Sequence, residues 1–266
     1  MKWKWKLWGS IICVCCILFS GCAMRTKVSD AEITLHTSYG DREGTYTGEL
    51  RKGVPDGEGV FVTKNETGET WTYEGAFKEG HISGQGRTKW NNGQYEEGNF
   101  ENDLLSGEGK VVMANKIAYE GIFKNGKLNG ETKVFKPSGD QVYQGNFEGF
   151  YPTDFTDNGY ISKPFEDYAR NPENSIGEIL KVVGMVTQSV PDDDGTIILR
   201  LTTRAEGFGD SVLVVYRPEE GQERILENDI ITVFGLYQGL TEYTSLLGAQ
   251  TQAPQFIGYD VKRKID

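Results

Sequence analysis

Between residues 44 and 150, aromatic and glycine residues alternate with polar residues in a recurring pattern. Five registers are marked by Gly48, Gly75, Gly98, Gly121 and Gly145, at steps of 27, 23, 23 and 24 residues. In four registers a tyrosine lies two positions before the glycine, and in all five a large apolar residue lies two positions after it. Residues at i, i+2 and i+4 of a strand face one side of a sheet. The pattern therefore predicts one strand per register with a shared aromatic face.

The aromatic and glycine residues of these predicted faces form the candidate core of the repeats. They are Tyr46, Gly48, Tyr73, Gly75, Phe77, Phe100, Tyr119, Gly121, Phe123, Tyr143, Gly145 and Phe147. Further glycines follow nine and eleven positions later in most registers, as a turn requires, and a second strand then begins. Each unit is thus a β-hairpin of about 23 residues, which is too small to be stable alone and is buried by stacking on its neighbours.

The segments 73–80 and 119–126 carry the clearest form of this pattern, and they resemble the MORN (membrane occupation and recognition nexus) repeat. The resemblance covers about residues 44–150. It implies a scaffold that binds proteins or, in some members, acidic lipids. Two positions depart from the pattern: Tyr95 lies one residue early, and Asp103 stands where other units have a glycine.

After a linker at 151–163, the pattern changes to a short helix and longer apolar strands. The helix is predicted to begin after Ser162 as N-cap and to end before Pro172. Strands are predicted at 179–188, 196–203, 211–216, 229–237 and 255–261. Five strands in about 107 residues favour a small barrel.

Residues 164–266 form the second predicted domain, which resembles an OB-fold domain found in bacterial lipoproteins and secreted proteins. The resemblance rests on the segments 169–172, 181–186 and 226–235. OB barrels bind ligands through exposed rings, and the rings of a ligand face here would be Tyr216, Phe234, Tyr237 and Tyr243. The whole chain is therefore expected to be all-β: a MORN-repeat hairpin meander followed by a small five-stranded OB-like barrel.

The first 21 residues have the pattern of a secretory signal. Lys2, Lys4 and Lys6 precede an apolar segment at 7–19, which is too short to span a bilayer comfortably. Residues 18–22 resemble the lipobox of bacterial lipoproteins, in which Cys22 is lipidated and becomes the new amino terminus. We therefore expect export and anchoring to the outer face of the cell membrane, with residues 22–43 as a tether. An ordinary cleaved signal and an uncleaved anchor are the alternatives.

Charge narrows the choice of partners. The chain carries a net charge of −11, and removal of residues 1–21 takes away three lysines and no acid, which leaves −14 and one of the four cysteines. Residues 40–159 hold 13 basic against 20 acidic side chains, and residues 160–266 hold 10 against 17. Nucleic acid and anionic lipid both favour basic surfaces, so neither is expected as the partner.

The sequence offers few groups for catalysis or metal binding. The two histidines, His36 and His81, lie far apart. The acidic residues at 192–194 form either an exposed turn or a calcium site. We expect no catalytic residue, no metal and no cofactor, and a membrane-anchored binding module for an envelope protein. A cell-wall glycan binder is the first alternative, and a hydrolase of envelope polymers is the second.

Overall fold

The computed structural model describes residues 24–64, 68–157, 160–203, 210–244 and 248–264. The predicted signal peptide and Cys22 lie outside the described residues. Within them the chain is nearly all β, as predicted, with a long antiparallel sheet followed by a closed barrel.

The first eleven strands pair in chain order to form a single antiparallel sheet. They are β1 (Arg25–Thr37), β2 (Gly40–Arg51), β3 (Val54–Lys64), β4 (Thr70–Lys78), β5 (His81–Trp90), β6 (Tyr95–Glu101), β7 (Leu104–Val112), β8 (Ala118–Lys124), β9 (Lys127–Phe135), β10 (Gln141–Glu148) and β11 (Tyr151–Pro152). The predicted hairpin meander is therefore confirmed.

Glycines of successive strands stand opposite one another and form a continuous row across this sheet. The row consists of Gly48, Gly59, Gly75, Gly86, Gly98, Gly109 and Gly121. The ring of Tyr73 lies over the pair Gly75 and Gly86, and its hydroxyl donates to the Ala76 carbonyl at 2.9 Å. A Cβ added at Gly86 would lie 2.2 Å from the Tyr73 hydroxyl oxygen. Because glycine has no side chain, the ring can lie directly against the backbone.

The third unit departs from this arrangement. Tyr95, three positions before Gly98, faces the opposite side of the sheet, where the Arg87 guanidinium lies 4.0 Å from its ring centroid. The tyrosine position is taken by Glu96, whose pKa is raised by burial. Leu105 fills the space above the glycine row instead, and its Cδ1 would lie 3.0 Å from a Cβ at Gly98. Leu105 therefore replaces the apolar contact that the missing tyrosine ring would make with the glycine row.

Asp103 takes over the turn position of a glycine, with φ of 72°. Its carboxylate is buried and accepts hydrogen bonds from the backbone N–H groups of Ile82 at 2.8 Å and Ser38 at 3.1 Å. It also lies 3.0 Å from His81 Nδ1. Because Ser38 belongs to the turn between β1 and β2, this aspartate joins the first hairpin to the middle of the sheet.

The tether predicted at 22–43 is wrong for its described part. Strand β1 pairs with β2 from Arg25 to Thr37 around one irregularity, and Leu35 is only 1 % exposed in the aromatic core. Ala31, Ile33 and Leu35 alternate with polar residues, which puts their side chains on one face. At its start β1 is fixed by Arg25, which donates to Glu49 at 3.1 Å and to Asp56 at 2.7 Å.

The second part of the chain begins with helix α1 (Phe165–Arg170) and a 3₁₀ turn (Pro172–Asn174). The expected N-cap is wrong, because Pro164 occupies that position in an extended conformation and leaves Ser162 two residues outside. The remaining strands are β12 (Ile179–Pro191), β13 (Ile197–Thr202), β14 (Ser211–Tyr216), β15 (Ile230–Thr244) and β16 (Gln250–Arg263). They close a barrel in the order β12-β13-β14-β16-β15, with β14 and β16 parallel. The last two strands are longer than the sequence predicts.

The sheet and the barrel contact each other directly. Tyr259 of the barrel lies in the aromatic core of the sheet, with ring centroids 5.7 Å from Tyr143 and 6.0 Å from Phe147. The backbone at Gly177 comes so close to the sheet that a Cβ there would lie 2.6 Å from Lys136 Cβ. The two parts therefore share one continuous core.

The glycine row makes a prediction for stability. Replacing Gly86 with alanine places a methyl group under the Tyr73 ring, and we expect the free energy of unfolding to fall by about 1–3 kcal/mol. Gly53→Asn is the control: Gly53 has φ of +85° and no neighbour within 4 Å of a Cβ, and asparagine tolerates that conformation. Denaturant unfolding of both variants is the measurement, and equal midpoints would contradict the role of the ring.

Candidate functional site

The structure places the repeat aromatics inside the molecule. Of the predicted core rings, those at most 4 % exposed are Tyr46, Tyr73, Phe77, Phe100, Tyr119, Phe123 and Phe147. Tyr143 is partly buried against Phe155 and Tyr259. The first hairpin and the barrel both contribute to this core, so these rings hold the fold together and do not face a ligand.

The predicted ligand face of the barrel is wrong for two of its four rings. Tyr216 and Tyr237 are 2 % and 0 % exposed, because their positions on β14 and β15 point into the barrel. The Tyr237 hydroxyl donates to the Tyr168 carbonyl at 2.6 Å, and burial raises the pKa of both tyrosines. Among the described residues, the buried Tyr216 hydroxyl has no hydrogen-bond partner.

Phe234 is also withdrawn from solvent. Its ring lies against the stacked rings of Phe155 and Tyr160 of the predicted linker, with both centroids 6.3 Å away, and only 6 % of the residue is exposed. The ammonium groups of Lys181 and Lys262 lie 5.7 and 5.9 Å from the ring centroid. The linker therefore covers this ring, which removes a third member of the predicted face.

Tyr243 remains at the surface, together with an arginine that the sequence did not single out. The Arg200 guanidinium lies 5.0 Å from the Tyr243 ring centroid and donates to its hydroxyl at 3.2 Å. Arg200 also donates to Ser211 Oγ from Nε at 3.2 Å and from Nη2 at 3.1 Å. Among the described residues these hydroxyls are its hydrogen-bond partners, so the guanidinium is held in place without a carboxylate.

These side chains belong to a groove of about 340 Å³ on the outer wall of the barrel, which we call the wall groove. Its more polar side is a cross-strand row of Gln188, Arg200 and Gln255, in which the apolar Leu213 stands between Arg200 and Gln255. Its apolar side is formed by Val190, Ile198 and Val215 of the adjacent cross-strand row, which continues to Ile257 beyond the groove. Of these, Val190 is 41 % exposed. A charged group beside a continuous apolar surface is a typical arrangement for binding.

A second groove, of about 620 Å³, lies on the polar face of the repeat sheet. Opposite charges alternate across its strands in the order Glu74, Arg87, Glu97, Lys110, Glu120 and Lys133. Arg87 and Glu97 lie 3.6 Å apart, and Lys110 and Glu120 lie 2.7 Å apart. The hydrogen bond to Glu120 raises the pKa of Lys110. Because these two ion pairs lie on an exposed surface, they contribute little to stability.

Within the described ranges, no three metal-binding side chains come together. His36 lies 2.7 Å from Asp41, and His81 contacts Asp103. Asp194 accepts hydrogen bonds from the Thr196 N–H and hydroxyl at 2.9 and 2.6 Å, which lowers the pKa of Asp194 and fits the exposed turn. In the part of the chain that the structure covers, no helix has the length and apolar character needed to cross a membrane.

Comparison with known proteins bears on the sheet alone. The family model for the MORN repeat matches four segments, at 46–67, 73–95, 97–116 and 119–140. These segments are MORN repeats, and they correspond to four of the five registers seen in the sequence. No curated protein matches the chain.

The two buried barrel tyrosines make a paired prediction. Tyr216→Phe removes a buried hydroxyl that has no partner among the described residues, and we expect it to be neutral or to stabilise the protein by up to about 1 kcal/mol. Tyr237→Phe removes the hydrogen bond to the Tyr168 carbonyl, and we expect a loss of about 1–2 kcal/mol. Denaturant unfolding distinguishes them. A destabilised Tyr216→Phe variant would show that its hydroxyl has a partner.

Proposed function

We propose that the protein is a non-catalytic binding scaffold of the bacterial envelope, exported and held at the outer face of the cell membrane by a lipid on Cys22. In this proposal the wall groove binds an extended segment of another envelope protein. The observation that carries it is the arrangement of Arg200 and Tyr243 beside an exposed apolar row, on a barrel that buries its other predicted ligand rings.

The chemistry of the groove supports a polypeptide as ligand. The row of Val190, Ile198, Val215 and Ile257 offers branched aliphatic side chains on four neighbouring strands. Strands lie about 4.8 Å apart, so apolar side chains of an extended partner find repeated contacts along the row. Burial of such side chains supplies about 25 cal/mol for each Å² of apolar surface removed from water.

The barrel topology supports assignment to the OB-fold. The closed order β12-β13-β14-β16-β15, with a parallel contact between the third and fifth strands, agrees with the resemblance found in the sequence. Fold alone does not choose a ligand, so the partner class rests on the groove.

The shared core supports a scaffold that presents this groove in a fixed place. Tyr259 packs among rings of the last repeat, and Asn115 Nδ2 donates to the Gln238 carbonyl at 2.9 Å. The repeat sheet then serves as a rigid support for the barrel.

Glycan binding is the competing interpretation, and the ring positions argue against it. Of the two tyrosines that a glycan platform would need, Tyr237 is buried and Tyr243 has Arg200 against its ring. Stacking on a sugar requires an open ring face. The aliphatic row favours a protein instead.

In-cell photo-crosslinking tests the partner class. A benzophenone side chain at Gln188, in the groove, is expected to give covalent adducts with one or a few envelope proteins. The same side chain at the exposed Lys89 of β5 is the control and should give none of these adducts. Glycan adducts from position 188, or adducts that are identical from both positions, would contradict the protein-binding proposal.

Anchoring is tested separately by Cys22→Ala. We expect this variant to move from the membrane fraction to the medium, because the lipid attachment site is lost. Cys16→Ala, within the apolar segment, is the control and should stay at the membrane. Membrane retention of Cys22→Ala equal to that of the unmodified protein would exclude the lipoprotein assignment.

A further inference from the structure

The wall groove does not end on the barrel. A cleft of about 360 Å³ lies where the barrel meets the sheet, and it shares Val215 and Gln255 with the wall groove. We call it the junction cleft. Since both grooves include the same two residues, they form one continuous path from β12 to the repeat sheet.

The junction cleft has a neutral lining, although the chain is strongly acidic. Its polar side chains are the amides of Gln94, Asn115, Gln238 and Gln255. Its apolar surface includes Met113, Phe150 and Ile257. Asn115 and Gln238 are hydrogen-bonded to each other, whereas the amides of Gln94 and Gln255 can donate to and accept from the N–H and C=O groups of a peptide backbone.

The other end of the path carries a cation. Arg200 is fixed by Tyr243 and Ser211, which orients its guanidinium before any ligand arrives. Because Nε and Nη2 donate to Ser211 and Tyr243, the Nη1 group, which has no hydrogen-bond partner among the described residues, is the part of the guanidinium that can donate to a carboxylate. The acidic residue on the groove lining is Glu242, which is exposed to solvent.

The spacing between the two ends fits a short segment. Arg200 pairs with Leu213, and Leu213 pairs with Gln255, so Arg200 and Gln255 are two strands apart. Two strand spacings amount to about 10 Å, and an extended chain covers about 3.3 Å per residue. Three or four residues of a partner therefore reach from the guanidinium to the first amide of the junction cleft.

From this arrangement we infer that the path binds a short extended peptide segment with a carboxylate at Arg200. Its apolar side chains lie on the row from Val190 to Ile257, and its backbone groups meet the amides of the junction cleft. This inference rests on the proposed function and names the chemistry of the partner. The carboxylate is either a chain terminus or an Asp or Glu side chain, and the experiment distinguishes the two.

The test uses the full mature protein and an array of random eight-residue peptides. Each peptide is presented with a free carboxyl terminus and with an amidated terminus, and with or without internal Asp and Glu. We expect retention of apolar peptides that carry a carboxylate. Loss on amidation assigns the terminus, and loss on removal of Asp and Glu assigns the side chain.

Three variants locate the carboxylate. Arg200→Gln should weaken binding of the retained peptides by at least about 10-fold, since a charge-assisted hydrogen bond is lost. Glu242→Gln should strengthen it about 2- to 5-fold, because a like charge at the groove is removed. Arg51→Gln, at the exposed end of β2, is the control and should bind as the unmodified protein does. Arg200→Lys keeps the charge but loses the hydrogen bonds that orient the guanidinium, so it should bind with intermediate strength.

The outcomes separate the two proposals. Peptides that bind equally well without any carboxylate, or equally well to folded Arg200→Gln, would overturn the inference and leave a protein-binding groove standing. Retention of no peptide at all would overturn the proposed function, and the inference with it. Circular dichroism of each variant confirms that it is folded.

Discussion

The contact between a tyrosine ring and a pair of glycines is the interaction on which the repeat sheet depends. The Tyr46 and Tyr73 rings lie against the glycine row so closely that a methyl group has no room. Each hydroxyl donates to a backbone carbonyl three residues further on, so the ring is fixed at both ends. The aromatic face that results is too apolar to stay in water, and it is covered by the first hairpin at one end and by the barrel at the other.

Because the first hairpin and the barrel cover the aromatic face, only the other surfaces of the molecule are accessible to a ligand. Leu35 of the first hairpin and Tyr259 of the barrel both belong to the core that the repeats begin. The exposed side of the sheet carries charges that pair with one another, whereas the barrel wall has an arginine held by hydroxyl groups beside aliphatic side chains. The proposed binding path therefore lies on the barrel wall and at its junction with the sheet.

The repeats and most barrel strands were predictable because their signals are local. Glycine spacing marks each hairpin, and the alternation of Leu199 and Leu201 with Ile198 and Arg200 marks a strand with one buried face. The first strand was missed because Leu35 is its one fully buried large side chain, which leaves only a weak apolar alternation in the sequence. The wall groove was missed because the residues of a cross-strand row become neighbours only through the pairing register of their strands, which the sequence does not show. Arg200 sits on the outward face of its strand, and that position was its only local signal.

The departures in the third unit have a consequence for how the sheet assembles. Hairpins built on one glycine pattern are interchangeable in principle, so a repeat can pair with the wrong neighbour or with another copy of the chain. Leu105 in place of a ring, and Asp103 with its bond to Ser38, make the middle unit unlike the others. Only one order of hairpins brings that aspartate to the first turn. The hydrogen bond from Ser38 to Asp103 thus favours the one pairing order in which the third unit lies at the first turn.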